Sequence, residues 1–151
     1  MEKLYKCRQV LAFDYNQSML ITTRNKCAEL KNVNFAQASV THIPLPDNSV
    51  ELVFCLRMMH HIDTTDLFNH IVGELARVSS KWMAISFYRN ESWKNIRRRI
   101  LRRRVSGYPI SVLTFFKILK KYPFRLQKIF FLRNSQTLVL LKKNSPEFGV
   151  L

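Results

Sequence analysis

Short apolar runs alternate with segments of helical periodicity through the first 88 residues, and this alternation constrains the fold most strongly. The apolar runs lie at 9–13, 33–36, 50–56 and 82–88. Between them, apolar residues at helical spacing predict helices over about 17–30 and 64–78. Strands that alternate with helices connect right-handedly into a parallel sheet. The sequence therefore predicts an α/β fold with helices on both faces of a sheet, in which run 9–13 is a buried parallel strand.

A residue type that commonly caps helix N-termini precedes each of three predicted helices. Asn16 precedes the first predicted helix, and Asp63 or Thr64 precedes the second. Ser111 precedes a third, which extends to about Lys121. Such side chains accept hydrogen bonds from the free N–H groups of a first helical turn.

Two β-rich runs near the C-terminus, at 126–132 and 137–141, lie close together. They predict an antiparallel pair that closes the edge of the sheet.

Length and composition indicate one soluble, reduced domain. The chain has 151 residues, of which 47% are apolar, enough to fill a core. The three cysteines Cys7, Cys27 and Cys55 form no CxxC pair, so we expect neither a disulfide framework nor a zinc site. No apolar run approaches the roughly 20 residues that span a bilayer, and the N-terminus lacks a secretory pattern. We expect a cytoplasmic protein, with peripheral contact to the inner membrane surface as a further expectation.

Positive charge is concentrated in the last third of the chain. Residues 1–88 hold 9 Lys/Arg and 8 Asp/Glu, whereas residues 89–151 hold 16 Lys/Arg and 2 Asp/Glu. A basic helix is predicted over about 92–105, where Trp93, Ile96, Ile100 and Leu101 form an apolar stripe. The flanking arginines are Arg97, Arg98, Arg99, Arg102, Arg103 and Arg104. This pattern suits nucleic acid or an anionic membrane, and equally a solvated helix that covers an active-site mouth.

Asp14 ends the first predicted strand and directly precedes a capped helix. In doubly wound sheets, ligands bind beyond the carboxyl ends of the strands, where an acidic residue accepts hydrogen bonds from ribose hydroxyls. The alternative is an aspartate that only stabilises the turn.

Several segments taken together resemble a known family. The series VLAFDYNQSML, NVNFAQASVTHIPLPDNSVELVFCLRMMHHI and ELARVSSKWMAISFYR resembles class I S-adenosylmethionine-dependent methyltransferases. The most similar group contains the ubiquinone- and menaquinone-biosynthesis enzymes. The resemblance spans about residues 9–88 and implies a Rossmann-like fold with S-adenosylmethionine as cofactor.

The resemblance also implies site residues. Asp14 would bind the cofactor ribose. Tyr15 and Met19 would pack beside the adenine, Ser39 and Val40 would lie at its edge, and Leu56 would lie near the methionine end. A position in the helix core is the alternative for Met19. No catalytic residue is identified.

Two positions depart from the family pattern. Ser39 replaces an aspartate, so that position loses a charge-assisted acceptor. The family also has a Gly-rich turn about 20 residues before its acidic residue. Here 13 residues precede Asp14, and the only glycines are Gly73, Gly107 and Gly149. We therefore expect residues 1–151 to form one partial methyltransferase domain that lacks the first strand and its loop. In it, residues 1–88 are a cofactor-binding remnant and residues 89–151 a basic part.

His60 and His61 admit a catalytic interpretation, because histidine acts as a general base near neutral pH. The alternative is packing at the start of the following helix. Neither belongs to an HxxxH pattern, so no metal is expected.

The sequence favours methyl transfer from S-adenosylmethionine to a small-molecule or lipid-like acceptor, impaired here by the missing Gly-rich turn. A non-catalytic basic module for nucleic acid or anionic lipid is the alternative, and the silent or unstable product of a gene fragment is a third.

Overall fold

The computed structural model describes residues 8–90, 96–97, 100–101, 109–132 and 135–144. Its elements are β1 (Val10–Asp14), α1 (Gln17–Lys26), β2 (Val33–Gln37), β3 (Val50–Cys55), α2 (Thr65–Val78), β4 (Ser79–Tyr88), α3 (Val112–Leu119), β5 (Phe124–Phe131) and β6 (Gln136–Lys143). They belong to two compact units, Met1–Pro44 and Leu45–Leu151.

The first unit contains the parallel strand pair β1–β2 and helix α1. The pair runs in register from Val10 beside Val33 to Asp14 beside Gln37. The predicted cap is confirmed, since the Asn16 side chain accepts from the N–H groups of Ser18 and Met19.

Two details of this unit differ from the prediction. The first strand is parallel, but Val10 and Leu11 remain 37% and 41% exposed rather than buried. Among the described strands β1 pairs only with β2, and α1 buries no residue, so little covers the apolar run. Helix α1 ends at Lys26 rather than near residue 30, because the chain turns there to enter β2.

The second unit contains a four-stranded sheet in the order β3-β4-β6-β5. Strands β3 and β4 are parallel, and β6 is antiparallel to both β4 and β5. The predicted antiparallel pair at the sheet edge is thereby confirmed. The β6 strand lies inside the sheet, between β4 and β5.

Helices α2 and α3 cover one face of this sheet. Thr64 caps α2 by accepting from the N–H of Leu67, and Ser111 caps α3 by accepting from the N–H of Thr114. The rings of Phe87 and Phe115 stack with centroids 4.5 Å apart, and Phe68 meets both edge-on at 6.3 Å. These aromatic contacts join α2, α3 and β4 in one core.

Lys143, the last residue of β6, forms hydrogen bonds to the C-terminal end of α2. Its ammonium donates to Asn48 Oδ1 at 2.6 Å, to the Ser79 carbonyl at 2.7 Å and to the Ala76 carbonyl at 3.2 Å. A cation at these carbonyls complements the negative end of the helix dipole.

The structure covers only part of the predicted basic helix. Ile96, Arg97 and Ile100 are helical, and the N–H of Leu101 donates to the Arg97 carbonyl at 3.0 Å. The other arginines of the set, Arg98, Arg99, Arg102, Arg103 and Arg104, lie outside the described residues. Among the described residues, no helix has the length and apolar character required to cross a bilayer.

Candidate functional site

The carboxyl ends of β1 and β2 lie side by side in the first unit. Asp14 is the register partner of Gln37, and the N–H of Ala38 donates to the Asp14 carbonyl at 3.2 Å. Parallel pairing therefore brings Asp14 next to the loop that begins with Ser39. Open parallel sheets bind their ligands beyond the carboxyl ends of their strands, the side on which Asp14 lies.

A local turn fixes the Asp14 carboxylate. Its Oδ1 accepts from the N–H of Asn16 at 2.8 Å, and the residue as a whole is exposed. The same Asn16 caps α1, so strand end, turn and helix start form one hydrogen-bonded unit. A carboxylate accepts several hydrogen bonds at once, so the bond to Asn16 leaves further acceptor capacity.

Tyr15 and Met19 present large apolar surfaces beside Asp14. Tyr15 is 77% exposed and Met19 is 53% exposed. The exposure of Met19 contradicts its alternative placement in the helix core. A flat aromatic ligand beside Asp14 can pack against the rigid ring of Tyr15 and the adaptable thioether of Met19.

Ser39 and Val40 lie in the loop after β2, where both are half-buried. The Ser39 hydroxyl oxygen lies 2.7 Å from Thr41 Oγ1 and accepts from the N–H of Thr41 at 3.2 Å. Part of its acceptor capacity therefore stabilises its own turn.

Gln37 belongs to this site although sequence reasoning missed it. Its side-chain amide donates to the Tyr15 carbonyl at 2.9 Å and so holds the residue that follows Asp14. The available signal was a polar residue at the carboxyl end of the strand that pairs with β1. Gln37 also borders a shallow cleft of about 200 Å³ between α1 and β2, lined further by Leu20, Ile21, Arg24 and Phe35.

Leu56 belongs to the second unit, directly after β3, and is 49% exposed. The next residue, Arg57, has a φ of 57°, which is uncommon for a side chain of this size. The N–H of Arg57 donates to the Ser86 hydroxyl at 2.7 Å, which compensates for the strained turn. Ser86 and Arg57 therefore fix the chain where it leaves β3.

His60 lies at the carboxyl ends of β3 and β4. Its ring centroid is 4.0 Å from that of His61 and 4.9 Å from that of Tyr88, the last residue of β4. Partial burial lowers the pKa of His60 below 6.5, and the neighbouring His61 and Arg57 lower it further. The lowered pKa favours the neutral imidazole, the form that can accept a proton.

Within the described ranges, no three His, Cys, Asp or Glu side chains cluster in a way that would hold a metal ion.

The model of a methyltransferase domain family matches residues 1–81, more than half of the chain. The chain belongs to this methyltransferase family. The match includes Asp14, Tyr15, Met19, Ser39, Val40 and Leu56. No significant match exists among the curated proteins.

Solved structures show the same methyltransferase fold. Magnesium protoporphyrin IX methyltransferase from Synechocystis PCC 6803, a structure with bound SAH, superposes with a TM-score of 0.79 at 15% identity, over 90% of this chain and 64% of that one. The PH0226 protein of Pyrococcus horikoshii OT3 superposes with a TM-score of 0.76 at 16% identity, over 94% of this chain and 74% of that one. A SAM-dependent methyltransferase from Methanosarcina mazei superposes with a TM-score of 0.75 at 12% identity, over 94% of this chain and 85% of that one. The chain thus spans a little under two thirds of the Synechocystis enzyme.

Proposed function

We propose that the chain takes part in methyl transfer from S-adenosylmethionine to a small-molecule or lipid-like acceptor in the cytoplasm. The observation that carries the proposal is the position of Asp14, at the carboxyl end of a parallel strand and beside the end of β2. A carboxylate there suits the two hydroxyls of a ribose. Family membership supplies the reaction class.

The chain's own residues fit the nucleoside half of the cofactor. The exposed Asp14 carboxylate accepts from ribose hydroxyls, while Tyr15 and Met19 pack against the adenine. Ser39 and Val40 lie at the adenine edge, where the loop is already ordered by the Ser39–Thr41 contact. Leu56 is assigned to the methionine end by resemblance.

The residues of this chain give less support for binding of the methionine half of the cofactor. A Gly-rich turn lets a backbone approach a ligand closely, and no glycine precedes Asp14 in this sequence. We therefore propose that the 151-residue chain binds S-adenosylmethionine weakly or not at all.

The cofactor supplies an electrophilic methyl group on a sulfonium. The protein's contribution to such a transfer is mainly to align the acceptor with that methyl group and to exclude water. The lowered pKa of His60 favours its neutral imidazole, which can take a proton from a methyl acceptor. We assign no catalytic residue.

Isothermal titration calorimetry with the purified chain tests the binding proposal. We expect S-adenosylmethionine to bind no more tightly than about 1 mM, which corresponds to about −4 kcal/mol. Micromolar affinity would show that the chain's own residues form a full cofactor site, and would refute the proposed impairment.

A second candidate function is attachment to an anionic surface, either nucleic acid or membrane. The specific observation is that residues 89–151 carry 16 basic and 2 acidic residues. The arginines in question are Arg97, Arg98, Arg99, Arg102, Arg103 and Arg104. Such binding is electrostatic and should weaken steeply with salt, through counterion release and screening.

Replacing these six arginines with glutamine tests this candidate. Binding to a DNA duplex or to anionic vesicles at low salt should largely disappear, while the far-ultraviolet circular dichroism spectrum is retained. The pair Trp93→Ala with Ile100→Ala should weaken vesicle binding, which requires apolar insertion, and leave DNA binding intact. Undiminished binding by the glutamine variant would contradict this function.

A further inference from the structure

The peptide unit between Tyr15 and Asn16 is hydrogen-bonded at both of its polar groups. Its carbonyl, which belongs to Tyr15, accepts from Gln37 Nε2 at 2.9 Å. Its N–H, which belongs to Asn16, donates to Asp14 Oδ1 at 2.8 Å. A peptide unit is planar, so its carbonyl and its N–H turn together. The Gln37 amide and the Asp14 carboxylate therefore hold opposite sides of one rigid plane.

The backbone on either side of this peptide is fixed as well. Before it, the Asp14 carbonyl accepts from the N–H of Ala38 at 3.2 Å. After it, the Asn16 side chain caps α1 by accepting from two N–H groups of the first turn. A peptide unit between two fixed neighbours can still rotate, through opposite changes in the ψ before it and the φ after it. The bond from Gln37 opposes this rotation, because its donor lies on the other strand.

The side-chain amide of Gln37 has the chemistry and the position that this bond requires. A carbonyl oxygen only accepts hydrogen bonds, so the amide nitrogen is the atom that faces Tyr15. Gln37 is the register partner of Asp14, which places its side chain beside the turn that follows β1. A hydrogen bond to the carbonyl of an amide polarises the amide and strengthens the bond that its N–H donates. Gln37 thus strengthens the bond from Asn16 to the Asp14 carboxylate.

We propose that Gln37 is a positioning residue for ribose recognition by Asp14. It contacts neither ribose nor adenine and acts through the Tyr15–Asn16 peptide. By holding that peptide in one orientation, it keeps Asp14 Oδ1 bonded to the N–H of Asn16 and leaves the second carboxylate oxygen for the ribose hydroxyls. The inference rests on the proposed function, since it takes Asp14 as the residue that binds the ribose.

The effect on affinity comes from preorganisation. A carboxylate that is ordered before the ligand arrives loses less conformational freedom on binding. Asp14 is exposed, and its bond to the N–H of Asn16 is the contact that orients its carboxylate. A hydrogen bond contributes a net factor of about two to ten to an equilibrium. Gln37 acts through a second bond, so we expect an effect of about threefold on ribose binding.

Two other roles for Gln37 predict different results. A direct contact with the base would affect every nucleoside that contains adenine. A purely structural role would weaken all nucleosides alike, because it would disturb the whole end of the strand pair. A positioning role affects only the ligands whose hydroxyls bind Asp14. Adenosine and 2′,3′-dideoxyadenosine, which share the base and differ in these hydroxyls, separate the three roles.

Gln37→Met in the full chain tests the proposal, because methionine has a similar length but no donor. NMR titrations of the labelled parent and variant follow the amides of Ser39 and Val40 with each nucleoside. The affinity for adenosine should fall by about threefold, whereas the affinity for 2′,3′-dideoxyadenosine should not change. Equal losses for the two nucleosides would overturn the proposal, and so would an unchanged affinity for adenosine.

The chain without ligand supplies a second readout. In the Gln37→Met variant the Asn16 amide proton should move upfield, because its hydrogen bond weakens. The order parameter of this N–H should also fall below about 0.85, the value of rigid backbone. Gln9→Met is the matched control, since Gln9 is exposed and precedes the other end of β1. It should change neither quantity. An Asn16 amide that is the same in Gln37→Met and in the parent would overturn the positioning role.

The titrations also distinguish failure of this inference from failure of the proposed function. If adenosine shifts the amides at the end of β1 in the parent and binds Gln37→Met equally well, only the inference about Gln37 is wrong. If adenosine shifts no residue at the end of β1 in the parent, the nucleoside site itself is wrong, and the ribose role of Gln37 is overturned with it.

Discussion

The main-chain carbonyl of Asp14 accepts a hydrogen bond from the N–H of Ala38 over 3.2 Å. This bond extends the β1–β2 ladder by one step beyond the paired strands and brings Asp14 beside the Ser39 loop. Two residues separated by 24 positions in the sequence thus become neighbours at one sheet edge. The proposed nucleoside site depends on this pairing.

The aromatic core between α2, α3 and β4 makes a large contribution to stability. Phe115 is fully buried and stacks on Phe87. Phe115→Ala should lower the free energy of unfolding by about 3–5 kcal/mol, measured by urea denaturation. Leu113→Ala, on the same helix but 66% exposed, should change it by about 0.5 kcal/mol or less. Similar losses in both variants would contradict the packing described here.

His60 should make the stability of the chain depend on pH below neutrality. Its pKa is lowered from 6.5 in the folded state, mainly by burial, so the unfolded chain takes up the proton first as pH falls. The free energy of unfolding should therefore decrease as pH falls through 6.5 towards the folded pKa, and His60→Gln should reduce this dependence. An NMR titration of the His60 ring with a midpoint at or above 6.5 would contradict the expected sign.

Cys55 should be protected from alkylation in the native chain. It is 7% exposed at the end of β3, and burial raises the pKa of its thiol to about 12. The reactive thiolate is therefore scarce at pH 8. Mass spectrometry after brief iodoacetamide treatment should find Cys27 modified before Cys55, with Cys55 reacting once urea unfolds the chain. Equal reactivity of Cys27 and Cys55 in the native chain would indicate that the Cys55 thiol is accessible to solvent at the end of β3.

Local features of the sequence predicted the elements well. The caps Asn16 and Ser111 were predictable because each acts within a few residues of itself, and Thr64 was one of two candidates, with Asp63 as the other. The antiparallel pairing of β5 and β6 was also predictable, since the two runs are separated by a short turn. In contrast, the position of β6 between β4 and β5 depends on long-range pairing that periodicity does not encode.

The site was predictable only in part. The position of Asp14 at a strand end could be inferred from the apolar run before it, whereas the roles of Tyr15, Met19, Ser39, Val40 and Leu56 came from the family resemblance and stay predictions. The bond from Gln37 to the Tyr15 carbonyl was not predictable, because it requires the register of β1 and β2. The exposure of β1 was also missed, since an apolar run carries no information on how many neighbours cover it.

Binding of adenosine to the isotopically labelled chain, followed by NMR, tests the central claim most directly. Weak, saturable shifts are expected at the amides of Asp14, Tyr15, Ser39 and Val40. Asp14→Asn keeps the oxygen that accepts from Asn16 but removes the charge. It should weaken adenosine binding by about tenfold or more, so that most of the shifts are lost at the same adenosine concentration, because a charge-assisted hydrogen bond contributes about 1.5–3 kcal/mol. Asp63→Asn, an exposed aspartate outside the proposed site, should leave the affinity unchanged. Equal adenosine affinity in the Asp14→Asn variant and the parent, or shifts confined to other residues, would contradict the assignment of a nucleoside site to the end of β1.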